Sequence, residues 1–225
     1  MTKPGTKEKQ YDVTLRYRDE HGLESLGLMT NQAWQDDPKR LAFTFARYKF
    51  VAKMFAGFER VLEVGCADAF ATRVVVQDVK HLTAVDFDPL FIEDAKGRMN
   101  PRWRFECFTH DLLAGAVPGP FDGIYALDVL EHIQPANEQA FLTHMAASLA
   151  PQGAMIIGMP SLESQAYASP ISKEGHVNCK TMPDLKATLG QFFHNVFMFS
   201  MNDEVVHTGY HKMAHYLLAL CCARK

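Results

Sequence analysis

From residue 60 onward the chain alternates short apolar runs with amphipathic stretches, which predicts strands and helices in turn. Residues 60–64 and 82–86 read as strands, with helices over 70–78 and from Pro89 to about Arg98. Two such β-α units in a row imply parallel pairing. Residues 103–108 and 121–127 give a third and fourth strand, and 154–159 a fifth. Between the last two, 135–149 is a helix with Phe141, Leu142, Met145 and Leu149 facing inward. Upstream, a helix starts after Asp36 and Asp37 with Pro38 in its first turn. It runs to Gly57, carrying Leu41, Phe45, Tyr48, Ala52 and Phe55 on one face. Residues 1–36 mix charge, glycine and isolated apolar positions without a period, which predicts a partly ordered extension able to fold over something.

After Pro160 the alternation gives way to about twenty residues rich in Ser, Gly and Pro, then a short helix over 183–189. Loops of that length inside compact domains are functional or disordered. Two more apolar runs, 195–200 and 213–221, are separated only by the polar segment 201–212, too short for a crossover helix, so they are expected to pair antiparallel. The pattern predicts an α/β fold, a single Rossmann-like, doubly wound, mostly parallel seven-stranded sheet with an antiparallel last strand. All 225 residues read as one domain, with a core over 38–225 and residues 1–36 as an extension or lid.

Composition narrows the partners. The 23 basic and 26 acidic residues leave a formal charge of −3, which gives no reason to expect nucleic acid and favours a small-molecule acceptor. Lys3, Lys7, Lys9, Arg16 and Arg18 read as a solvated tail. The five cysteines are an odd number without paired spacing, which predicts reduced thiols in a cytoplasmic protein, and no metal centre is expected. No stretch reaches the roughly 20 apolar residues of a membrane span, so no membrane partner is expected. A homodimer is left open.

The chemistry concentrates where the first strand ends. Residues 60–69 are a buried strand running into a small-residue turn, Gly65-Cys66-Ala67-Asp68-Ala69, and then a helix, so a ligand could approach the backbone closely. The next strand ends in Asp86, 21 residues after Gly65, where a carboxylate could grip a ribose diol. An acid at that strand tip points to a nucleoside.

These residues resemble motif I and its successor in the class I S-adenosylmethionine-dependent methyltransferases, and the likeness runs in order over roughly residues 40–225. The resemblance implies a methyltransferase that uses S-adenosyl-L-methionine. By it, Glu63, Gly65, Cys66, Ala67 and Asp68 surround the methionine portion and Asp86 holds the ribose. Phe87 flanks the adenine, with Asp111 and Leu112 beyond it, and Leu127, Asp128 and His132 lie nearest the methyl group. Arg47, Tyr48 and Lys49 stand where family members touch the cofactor's carboxylate. The acceptor is expected to be a small metabolite or sugar derivative methylated on oxygen or nitrogen. His132 and His176 are the candidate catalytic bases, and His207, Tyr210 and His211 cluster nearby in sequence.

The family turn commonly carries glycine where this chain has Ala67 and Ala69. Alanine disfavours positive φ, so the turn is expected to run in conformations an L-residue tolerates. Two alternatives stand beside the methyltransferase reading. A nicotinamide-dependent oxidoreductase shares the strand, turn and distal acid, but its fingerprint needs a small residue where Phe70 stands. A non-catalytic domain that only senses S-adenosylmethionine would carry the same motifs.

Overall fold

The computed structural model describes residues 5–225. The first three helices are α1 (Asp12–His21), α2 (Leu28–Asp36) and α3 (Lys39–Met54). The alternating core follows, with β1 (Arg60–Val64), α4 (Thr72–Val76), β2 (His81–Asp86), α5 (Pro89–Gly97) and β3 (Glu106–Thr109). It continues through β4 (Phe121–Leu127), α6 (Glu138–Ser148) and β5 (Leu149–Pro160). An insertion bearing α7 (Pro170–Gly175) leads to α8 (Met182–Leu189), and the chain closes with β6 (Phe193–Asn202), β7 (Val205–His207) and β8 (Tyr216–Arg224).

The strands form one sheet in the order β3-β2-β1-β4-β5-β8-β6-β7. Pairing is parallel from β3 through β5 and antiparallel from β5 through β8 and β6 to β7. Strands β1 and β4 are buried almost throughout because helices cover both faces. Alternation sorts their side chains: Leu62, Val64 and Ile124 join a core with Phe141, Leu142 and Leu185. Val61 and Tyr125 point the other way, onto Val51, Phe55, Val75 and Ile92. The chain leaves β1 toward β2 and returns to its other side at β4, so the order reverses between β1 and β4 and a crevice opens at their carboxyl ends.

Three expectations need correction. The sheet has eight strands, because three residues of the polar segment, Val205–His207, pair back onto β6 as a short hairpin. The amino-terminal extension is helical rather than irregular, although neither α1 nor α2 buries a residue, which is why no hydrophobic period marked them. Lys3 lies outside the described residues. The buried face of α3 is set by Tyr48, Val51, Ala52 and Phe55, while Phe45 stays exposed.

Candidate cofactor and acceptor site

The turn after β1 departs from expectation in its backbone. Ala67 (φ 46°) and Ala69 (φ 51°) both occupy the left-handed region beside Gly65 (φ 74°), so the turn keeps a glycine-like path at a steric cost of roughly 1 kcal/mol for each alanine. Gly65 is required twice over, since a Cβ there would also lie 2.4 Å from a methyl of Val129 in the turn after β4. Asp86 braces this loop: Oδ2 accepts from Ala67 N–H at 2.8 Å and Oδ1 from Asp88 N–H at 3.0 Å. Each oxygen keeps a lone pair for a ligand hydroxyl.

Glu63 and Tyr48 lie under the turn. Glu63 is 1% exposed and accepts from the Tyr48 hydroxyl at 2.7 Å and the Thr72 hydroxyl at 2.6 Å. Burial pushes its carboxyl up to about 7, against the pull of those two hydroxyls. Both residues therefore brace the turn from beneath rather than line its surface. Cys66 is buried within the turn and burial pushes its thiol up, so it fills space as a neutral group.

Asp68 is taken up by the amino-terminal segment. Its carboxylate accepts from Thr30 N–H at 2.7 Å and the Thr30 hydroxyl at 3.1 Å, and a Cβ on Gly27 would fall 2.4 Å from its carboxyl carbon. Glu24 pairs with Arg73 at 2.9 Å, and Leu28 N–H reaches Asp94 at 3.3 Å. Residues 24–30 thus form a strap over the turn after β1, built from contacts 38 to 76 residues apart in sequence. At the other strand tips, Phe87 is 73% exposed, Asp111 is exposed with one oxygen on Leu113 N–H, and Leu112 and Leu127 are buried beside them.

The turn after β4 carries the densest cluster of charge. Arg47, on α3, donates to both oxygens of Asp128 at 2.9 and 2.8 Å and lies over the Tyr216 ring at 3.7 Å. Burial disfavours its charge but Asp128 outweighs that, so the guanidinium stays firmly protonated. Glu131 is fully buried with neither carboxylate oxygen bonded, and burial together with Asp128 pushes its carboxyl well above the ordinary range. The Glu131 carbonyl accepts from Val177 N–H at 2.8 Å and Asn178 N–H at 3.0 Å, which brings the insertion after β5 onto this turn. His132 and His176 then meet with ring centroids 5.2 Å apart. Burial, then His132, holds the His176 imidazole below its ordinary pKa.

The predicted histidine cluster further along divides. His207 is tied back to Asn202 at 2.8 Å within its own hairpin, whereas the His211–Met213 turn packs against residues 163–167 of the insertion. An open groove of about 420 Å³ lined by Arg60, Lys80, Thr83, Arg104 and Glu106 lies at the opposite, amino end of the strands, away from these groups. Sequence reasoning missed Thr30 and Thr72, which carry no signal apart from the partners they meet, and Glu131, whose burial no local pattern marks.

A family model described as "Methyltransferase domain" matches residues 62–155, which span β1 to the middle of β5 and include both turns. Over that stretch the chain is similar to methyltransferase domains, and S-adenosylmethionine is the cofactor that the likeness implies. The demethylmenaquinone methyltransferase of Tropheryma whipplei is 31% identical over 102 residues, 44% of this chain and 41% of that protein. The ubiquinone biosynthesis O-methyltransferase of Xylella fastidiosa is 32% identical over 103 residues, 44% and 40% of the two chains. The chain thus matches about two fifths of the length of these relatives. The N-methyltransferase NodS from Bradyrhizobium japonicum WM9, solved with S-adenosyl-L-homocysteine, superposes with a TM-score of 0.61 at 21% identity, covering 84% of this chain and 90% of that one. That likeness is one of fold.

The donor set fits the cofactor. Asp86 has a lone pair on each oxygen at a strand tip, Phe87 offers an exposed ring beside it, and the turn from Gly65 carries only small side chains up to Asp68. Among the described residues no helix is long and apolar enough to cross a membrane.

Proposed function

We propose that this protein transfers the methyl group of S-adenosylmethionine to an oxygen or nitrogen of a small metabolite with an apolar body. When bound, the cofactor supplies a sulfonium-activated methyl group, so the chain's own task is alignment and exclusion of water. In this reading Asp86 accepts the ribose hydroxyls, and Phe87 and Leu112 bracket the adenine, with Asp111 at its amine. Gly65 to Asp68 bound the methionine portion, with Glu63 and Tyr48 supporting them from below. Leu127, Asp128 and His132 face the methyl end, and the strap at residues 24–30 with the insertion after β5 closes the site as a lid. The acceptor would present its lone pair to the methyl carbon, with the cofactor's sulfur as leaving group taking the electrons of the broken bond, and its proton would leave on the His132–His176 side.

The observation that carries this reading is Asp86 at the tip of β2, braced against the turn after β1 and next to the reversal of strand order between β1 and β4. The apolar body of the acceptor rests on Leu162, Tyr167, Ile171 and Val177, all exposed on the insertion that bears His176, a grouping that suits a ligand rim. The relatives named for quinone biosynthesis support the same choice. Incubating the protein with methyl-labelled cofactor and a cell extract tests it. Label is expected to pass to an organic-extractable small molecule and to be lost in Asp86→Ala. Label appearing in nucleic acid or protein, or cofactor binding without any transfer, would contradict it, the last result favouring the sensor.

A further inference from the structure

Every buried carboxylate but one in the upper half of the fold has partners. Glu63 meets two hydroxyls, Asp86 two backbone N–H groups and Asp68 the strap. Glu131 has none on either oxygen, yet it is fully buried. Leaving such a group unpaired is among the most unfavourable arrangements a core can contain, and it persists where something else completes it.

What stands around it is specific. One ligating atom from each of Glu131, His132 and His176 lies within 4.8 Å of the other two. Both imidazoles are held in one tautomer. His132 Nδ1–H donates to the Gly175 carbonyl at 2.9 Å, and His176 Nδ1–H donates to Gln165 Oε1 at 2.8 Å. Fixing the proton on Nδ1 leaves the Nε2 lone pair free on each ring, which is the outer hydrogen-bonding arrangement of imidazoles that bind metal. The two backbone bonds from Val177 and Asn178 to the Glu131 carbonyl, with Asn178 and Lys180 anchored on Glu138 at 2.7 and 2.8 Å, hold the two segments in register.

We propose that Glu131, His132 and His176 form a binding site for one divalent first-row transition ion. Two neutral imidazoles and a carboxylate suit zinc, manganese, iron or cobalt better than magnesium or calcium. Bonds of about 2.1 Å need the three groups to draw together by roughly an ångström, a movement open to the half-buried His176 segment. Three protein ligands leave positions for the acceptor, and the site adjoins the cofactor turn, because Val129 of the same segment packs on Gly65. The ion's use in catalysis rests on the methyl-transfer reading: it would bind the acceptor's hydroxyl oxygen and ease loss of its proton to solvent, which favours oxygen over nitrogen as the atom methylated. The site also runs against the metal-free expectation from the sequence.

The test uses the full chain stripped with EDTA. Cobalt(II) is titrated by visible absorption and manganese(II) and zinc(II) by calorimetry, for wild type, Glu131→Gln and His176→Ala, with S-adenosylhomocysteine binding measured on the same samples. Expected is one ion per wild-type chain, weakened at least about tenfold in both variants while nucleoside binding persists. If Glu131→Gln fails to fold, His176→Ala carries the comparison. Wild type that binds S-adenosylhomocysteine but none of the three ions overturns the site, as does ion binding that neither variant weakens. Ion binding without nucleoside binding would sink the cofactor reading and leave the metal site standing.

Discussion

At the residue scale the site combines positions legible from the sequence with others that are not. Gly65 and Asp86 were legible because a turn residue and an acid at a fixed spacing perform their task from their own strand ends. The resemblance marked Arg47 and Asp128 one by one, but their pairing across 81 residues has no local signal, and neither does Thr30 on Asp68. The alanines of the turn behave differently from expectation and give a direct test. Ala67→Gly and Ala69→Gly should each stabilise the protein by up to about 0.5 kcal/mol in denaturant unfolding, since relief of left-handed strain exceeds the added chain entropy. Gly65→Ala should do the reverse, by about 2 kcal/mol or more, because the new methyl strikes Val129. Glu63 sets a pH dependence. Its carboxyl is raised from 4.5 to about 7, so between those values the folded protein binds more protons than the unfolded one and stability falls as pH rises. The penalty is about 3 kcal/mol once pH passes 7. Thermal unfolding of Glu63→Gln against wild type should show a gap in its favour that grows from pH 5 to pH 8, and a gap independent of pH would refute the assignment.

At the scale of elements, the strands that the pattern marked most firmly are the ones buried on both faces, and β1 and β4 fall on the expected residues. Elements held by few apolar contacts were the ones missed. Strand β7 is three residues long, and α1 and α2 present no buried side chain, so hydrophobic period could not reveal them. The strap, which runs from the α1–α2 connection into the first turn of α2, is held by polar contacts to the turn after β1, α4 and α5, which makes it separable from the core. Thr30→Ala should therefore weaken S-adenosylhomocysteine binding by up to about tenfold while changing unfolding stability little, with calorimetry and thermal melts read together. Hydrogen exchange over residues 24–36 should slow when S-adenosylhomocysteine is added. A melt that falls in step with affinity would make the strap part of the core instead.

At the scale of the molecule, the parallel half of the sheet and its antiparallel end were readable because crossover length separates the two kinds of connection. The eighth strand was not, and neither was the way the insertion after β5 folds back, through hydrogen bonds from Val177 and Asn178 to Glu131, onto the turn after β4. That folding back sets His176 beside His132 on the turn after β4. A nucleoside held by Asp86 at the tip of β2, next to the crevice between β1 and β4, is what the methyl-transfer reading requires. Calorimetric titration of S-adenosylhomocysteine into wild type and Asp86→Ala, with NAD as the competing ligand, measures this most directly. One site per chain, weakened about a hundredfold by the substitution, with no heat from NAD, is the predicted result. Tight binding of NAD, or S-adenosylhomocysteine affinity indifferent to the loss of Asp86 in a variant that still folds, would contradict it.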